Sequence, residues 1–251
     1  REELIAYSQA ALARAKTAMP NWFGLLPKAD VTIEPYPKFR EQNGPGEYNA
    51  PAEDGSRPGL FYISEYQAEQ KSRSGPEATA FHETIPGHHM QVTIALERKS
   101  IHPIGRYLFN SGYAEGWGLY AERLADEMKL YSSDLDRMGM LSGQAMRAAR
   151  LVVDSGLHTM GWSREQAIDY MLSHTTEDKN SVASEIDRYI IWPGQATSYM
   201  LGMLEIRKAR DDAQARLGSR FDIKAFHDRV LEDGSVPLSY LSEKIRIWSS
   251  P

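Results

Sequence analysis

Apolar residues return at helical spacing along most of this chain, and a proline-rich stretch interrupts that pattern near the N-terminus. Residues 1–18 (REELIAYSQAALARAKTA) place them every three or four positions, which predicts a helix that Pro20 closes. Pro20, Pro27, Pro35, Pro37, Pro45, Pro51, Pro58 and Pro76 then put eight of the 13 prolines into less than a quarter of the chain. Proline has no N–H to donate and a fixed φ, so this region reads as loops around short extended pieces. Its β-branched and aromatic runs predict strands at Val31–Tyr36, Glu47–Asn49 and Leu60–Ser64.

From Glu77 the helical period takes over and predicts helices at 77–99, 103–131, 134–160, 163–173, 184–191, 193–216, 222–232 and 238–248. Ser163 and Gln166 form a capping box, and Pro193 suits a first helical position. Asp222 is placed to cap FHDRVL, and Gly234 suits a left-handed residue after that helix. The expected fold class is α+β, mostly α: a small N-terminal sheet followed by a bundle of long helices.

Composition narrows the function. The 251 residues are 41% hydrophobic and 25% charged, as in globular chains, and suffice for one large domain. Apolar runs are only a few residues long, so no membrane span is expected, and no signal-peptide pattern is visible. Lys+Arg 29 against Asp+Glu 34, spread along the chain, leaves no basic stripe for nucleic-acid phosphates. With no cysteine, disulfides, thiolate nucleophiles and zinc–thiolate sites are all excluded. The compartment stays open, periplasmic or secreted as well as cytoplasmic. A start at Arg1 without methionine reads as a piece of a longer protein.

Three of the seven histidines, His82, His88 and His89, fall in FHETIPGHHMQ. Incidental histidines on a surface loop are the ordinary reading of such a run. Two neighbours argue otherwise. Glu83 follows His82, as in the zinc-peptidase motif HExxH, and Glu115 lies downstream in YAEGWGLYAERL on another predicted helix. Imidazoles and a carboxylate are a ligand set that catalytic zinc accepts, with one position left for water. A glutamate beside the first ligand histidine can take that water's proton.

The spacing departs from HExxH, because Pro86 occupies the fourth position after His82. In an ideal helix a six-residue step turns by roughly 240°, which would put His82 and His88 on different faces. Pro86, however, crowds the carbonyl of His82, and Ile85 before it is pushed from helical dihedrals. Gly87 then admits a detour. The expectation is a local bulge of two extra residues that brings His88 into the second-histidine place, with His89 as its rival. The fingerprint-like Gly116-Trp-Gly118-Leu-Tyr-Ala121 lacks the alternating βαβ units of a dinucleotide site, and no GxSxG elbow exists.

HETIPGHHMQ, YAEGWGLYAERL, RAARLVVDSGLHTMGW and DRYIIWPGQATSYMLG together resemble the bacterial family called domain of unknown function 885. The likeness runs along essentially the whole chain, from LPKADVTIEPYP to FDIKAFHDRVLEDGSVPL. That family is grouped with the gluzincin metallopeptidases and carries HExxPGH in place of HExxH. The resemblance implies a zincin-like (gluzincin) catalytic domain over residues 1–251, with one Zn2+ held by His82, His88 and Glu115 and with Glu83 as general base. Glu122, seven residues beyond Glu115, is a weaker rival ligand. Family members are usually longer, with a helical N-terminal region that this chain lacks and that is an expected partner.

Gluzincins commonly use a late tyrosine to stabilise the oxyanion, and Tyr199 in PGQATSY is the first choice here. Tyr189 and Arg188 are second choices, the arginine for a substrate carboxylate. Arg147, Arg150, Asp154 and His158 form one stripe on helix 134–160, which solvated faces often show. Its functional reading makes Asp154 the partner of a ligand histidine, with Arg150 or His158 meeting substrate. An edge strand at 47–49 would put Tyr48 near the cleft. The function expected is zinc-dependent hydrolysis of a peptide substrate. The rivals are a non-catalytic helical binding or scaffold domain and a metal hydrolase acting on another amide or ester.

Overall fold

The computed structural model describes residues 1–42 and 46–250; Pro45, counted above among the loop prolines, lies outside them. Helix α1 (Glu2–Ala18) buries Ala11, Leu12 and Ala15 and ends ahead of Pro20. Three strands follow, β1 (Val31–Pro35), β2 (Gly46–Asn49) and β3 (Gly59–Ile63), within one residue of their predicted places. They form one sheet in the order β1-β3-β2, with β1 parallel and β2 antiparallel to β3. Val31, Ile33, Phe61 and Ile63 point into the core, the period-2 burial of a sheet covered on one face. Pro35 ends β1, an edge strand, where its missing N–H costs no ladder bond.

The remainder is helical: α2 (Pro76–Glu83), α3 (His88–Glu97), α4 (Pro103–Tyr107), α5 (Ser111–Glu127), α6 (Asp134–Thr159), α7 (Arg164–His174), α8 (Lys179–Ile191), α9 (Ser198–Leu217), α10 (Ile223–Leu231) and α11 (Leu238–Trp248). The α+β, mostly α expectation therefore holds. Local signals held too: the Ser163–Gln166 capping box is formed, Asp222 accepts from the Lys224 N–H, and Gly234 is left-handed at φ 74°.

Four predicted helices need correction. The span 77–99 is not one bulged helix but two, α2 and α3, parted by Thr84–Gly87. The span 103–131 breaks between α4 and α5 because Asn110 caps a new start, its side chain accepting from the Tyr113 N–H. Pro193 does not open a helix; it lies in the turn before a short 3-10 piece (Gln195–Thr197), and α9 starts at Ser198. The earlier start of α8 has a cap of its own, with Asp178 accepting from the N–H groups of Asn180 and Ser181.

Helix α5 runs through the main core, burying Tyr113, Trp117, Leu119, Tyr120 and Leu124. It lies backbone against backbone on α9: a Cβ added at Gly116 would sit 2.4 Å from the Cα of Gly202, and one at Gly202 would sit 1.9 Å from the Gly112 carbonyl oxygen. Only glycine permits that approach. A second, smaller apolar cluster ties α6, α7 and α8 together through Val153, Ile168, Met171, Val182 and Ile186.

Candidate metal centre

His82 lies in the last turn of α2 and His88 opens α3, so the turn between them sets the angle between the two imidazoles. That turn folds tightly. The Thr84 hydroxyl and N–H both donate to the Ala80 carbonyl, and the His89 N–H reaches back to Thr84. A Cβ on Gly87 would lie 1.8 Å from the His82 carbonyl oxygen, so no other residue fits without moving the turn. Trp117 of α5 donates its indole N–H to the Pro86 carbonyl at 2.9 Å and pins the turn from the core side. The two rings end 4.7 Å apart, edge to face at 88°.

Helix α5 brings the carboxylates. Glu115, Gly118 and Glu122 share a face, and the His82 ring fills the notch over Gly118, where a Cβ would come within 2.6 Å of it. The imidazole thus bridges two carboxylates: Nδ1 lies 2.8 Å from Glu122 Oε1, and Nε2 lies 3.6 Å from Glu115 Oε2. His88 Nε2 is 3.5 Å from that same Glu115 oxygen. One donor atom each from His82, His88 and Glu115 lies within 4.8 Å of the others. For ligands about 2.0–2.1 Å from zinc, tetrahedral geometry puts donor atoms about 3.3 Å apart, so this set fits such an ion.

Burial disfavours the His82 imidazolium, but Glu115 and Glu122 override it and push that group up to about 10. Burial likewise opposes the Glu115 carboxylate, and the two imidazoles hold it well below the usual carboxylate range. Both shifts favour a proton on His82 in the metal-free protein, which metal loading would displace. Once that proton is lost, with Glu122 accepting from Nδ1–H, the Nε2 lone pair faces His88 and Glu115. Glu122→Gln keeps the shape and removes the charge; metal affinity should weaken by roughly 10- to 100-fold in chelator competition.

Glu83 is half-buried beside His82 and makes no hydrogen bond or ion pair among the described residues. Tyr199 at the start of α9 lies nearly parallel to the His82 ring, centroids 6.2 Å apart. Burial first, then the Glu115 charge, raises its phenol above the ordinary value, against Arg150 and Arg188. Arg150 is 5% exposed, its guanidinium engaged by Tyr189 and Glu185. Tyr189 is buried, and Arg188 bonds Glu185 and Gln195. His158 is exposed and meets the Tyr189 carbonyl. It stands eight residues beyond Arg150 on α6, about 12 Å along the axis.

The rival residues have partners of their own. His89 points away from His88, with Nε2 on the Ala29 carbonyl at 2.9 Å and Nδ1 on the Tyr48 hydroxyl at 3.0 Å. A carbonyl only accepts, so Nε2 carries the proton and both nitrogens are spent. Burial pushes His89 down to about 4. Asp154 does not support a ligand histidine: it accepts from the Gly194 N–H and holds the loop before α9. The carboxylate that meets the His82 Nδ1 is Glu122, two turns from Glu115 on one face. The stripe on α6 is no solvated face, since Arg150 and Asp154 are buried.

The family described as "Bacterial protein of unknown function (DUF885)" matches residues 1–245. The chain belongs to this family. Among solved structures, the "putative lipoprotein" of Colwellia psychrerythraea is similar at 38% identity and a TM-score of 0.95, covering 99% of this chain and 43% of its own. A second, from Shewanella oneidensis and described as a "putative lipoprotein of unknown function", shares the fold at 22% identity and a TM-score of 0.80, covering 97% of this chain and 45% of its own. This DUF885 chain thus spans less than half the length of either structure. No curated protein matches it significantly.

Proposed function

We propose that this DUF885 chain is a zinc-dependent hydrolase with a zincin-like catalytic domain, and that its substrate is a peptide. The convergence of His82, His88 and Glu115 donor atoms within 4.8 Å, with Glu83 beside the first of them, carries the reading. One Zn2+ per chain, held there, would supply Lewis acidity to a water and to the scissile carbonyl. Glu83, free of other partners, takes a proton from the attacking water as the oxygen adds to the carbonyl carbon. It returns that proton to the amine as the C–N bond breaks. Tyr199 donates a hydrogen bond to the oxyanion that forms. Arg188, the more exposed of the two arginines near Tyr199, is the candidate for a substrate carboxylate.

The likeness to two proteins described as lipoproteins supports an extracytoplasmic setting. No described helix is long and apolar enough to cross a membrane. The greater length of both relatives supports a further region of the same protein as partner. Chelator-stripped protein titrated with Zn2+ should take up one equivalent. With that equivalent it should cleave a mixture of fluorescence-quenched peptides, and lose cleavage on stripping. Uptake of no metal, measured by elemental analysis, would leave a helical binding domain instead.

A further inference from the structure

Arg150 is charged and buried, yet it is spent neither on solvent nor on the metal-site carboxylates. Its Nε donates to the Tyr189 hydroxyl at 2.7 Å and one terminal nitrogen donates to Glu185 Oε2 at 2.7 Å. The Tyr189 hydroxyl closes the ring by donating to the same Glu185 oxygen at 2.7 Å. Burial alone would push Glu185 up, but Arg188 and Arg150 outweigh it and hold the carboxylate down to about 2. The guanidinium is thereby fixed in plane and in charge. Its remaining nitrogen, Nη1, is buried without a hydrogen-bond partner among the described residues. Leaving a buried donor unpaired costs free energy.

The face is used on Tyr199. The guanidinium carbon lies 4.6 Å from the centroid of the Tyr199 ring, nearer than to Tyr189 at 5.6 Å. The same phenol ring lies near-parallel, at 26°, to the His82 imidazole. A tyrosine side chain has only two torsions to fix, and a planar cation over its face restrains both the ring position and its tilt. The cation also acts from a dry site, where its field on the ring is little screened.

We propose that Arg150 is a positioning residue that seats Tyr199 beside the metal centre and does not itself touch substrate. The proposal rests on the reading of Tyr199 as the oxyanion donor only for its effect on rate; the seating of the ring stands apart from that. The tests are crystal structures, zinc content and peptide kinetics of zinc-loaded Arg150→Met and Arg150→Lys, beside Tyr199→Phe and the Arg150→Met/Tyr199→Phe double variant. Zinc content should stay at one per chain in all four.

In Arg150→Met the Tyr199 ring should leave its place beside His82, and in Arg150→Lys, which keeps the charge but loses the plane, it should stay near His82 with its tilt relaxed. With the quenched-peptide mixture, kcat for Arg150→Met should fall about 30-fold with KM little changed, the size of one desolvated cation–π contact. In the Tyr199→Phe background the same change should cost nothing more, because the hydroxyl it seats is gone. An unmoved ring in Arg150→Met, or penalties that multiply in the double variant, would overturn the positioning role. Full activity in Tyr199→Phe, with the ring still displaced in Arg150→Met, would remove the donor role while leaving the seating intact. If Arg150→Met does not fold, Arg150→Gln, which can still bond Tyr189, serves for the same comparison.

Discussion

Replacing Glu83 with glutamine should leave zinc binding unchanged and lower peptide hydrolysis by about 10²- to 10⁴-fold, the usual worth of a positioned general base. The substitution keeps size and polarity and removes only the ability to take a proton. Glu83 is suited to that comparison because it bonds to no other described group, so its loss breaks no network. It stands at the last residue of α2, one position after a ligand candidate, and its charge acts on the His82 imidazole. The readouts are zinc per chain and kcat with quenched peptides. A glutamine variant that retained zinc and cleaved at the normal rate would end the mechanism proposed here.

Glu115→Ala should abolish stoichiometric zinc binding and also change how the metal-free protein responds to pH. Glu115 is the carboxylate shared by both imidazoles, so its removal takes away one ligand and the charge that draws in the cation. In the metal-free protein His82 is raised from 6.5 to about 10, so its stabilising contribution is fully present below pH 6.5 and is lost as pH climbs through about 10. Glu115 is lowered from 4.5, so its contribution is present above that pH and is lost on acidification. The metal-free protein should therefore gain most from this pair between those two values, and melt progressively earlier toward alkaline pH. Glu115→Ala should melt earlier than the metal-free parent near pH 6 and show a flatter alkaline decline. Zinc should remove that decline in the parent only. Thermal melts from pH 5 to pH 10, with and without zinc, check it; equal slopes in the two proteins would show that the pair does not carry the effect.

Much of the local structure was legible in residue order. The three strands fell within one residue of their predicted limits, because β-branched runs between prolines leave the chain few alternatives. Caps at Ser163 and Asp222 and the left-handed Gly234 were legible for a similar reason: each is settled within about four residues. Helix ends were less legible where a new cap, such as Asn110 or Asp178, competed with an unbroken apolar period.

The Pro86–Gly87 detour was readable as a disturbance, because proline's missing N–H and ring clash act on the next turn of the same chain. Its form was not, since whether the helix bulges or stops depends on what holds the turn, and here that is Trp117 from another helix. The sequence by itself determined the fold class, most element positions and the set of side chains with metal chemistry, all of which follow from short-range sterics and periodicity. Only the tertiary structure decided which of them stand together. Glu115 and Glu122 share a helix face two turns apart, so helical periodicity alone does not rank one above the other. The His82 ring, lodged over Gly118, presents Nδ1 to one and Nε2 to the other. His89 was likewise separated from His88 by partners on the sheet side, and Arg150 was drawn inward by Tyr189 and Glu185. Such assignments depend on what another element places opposite a side chain, which packing alone supplies.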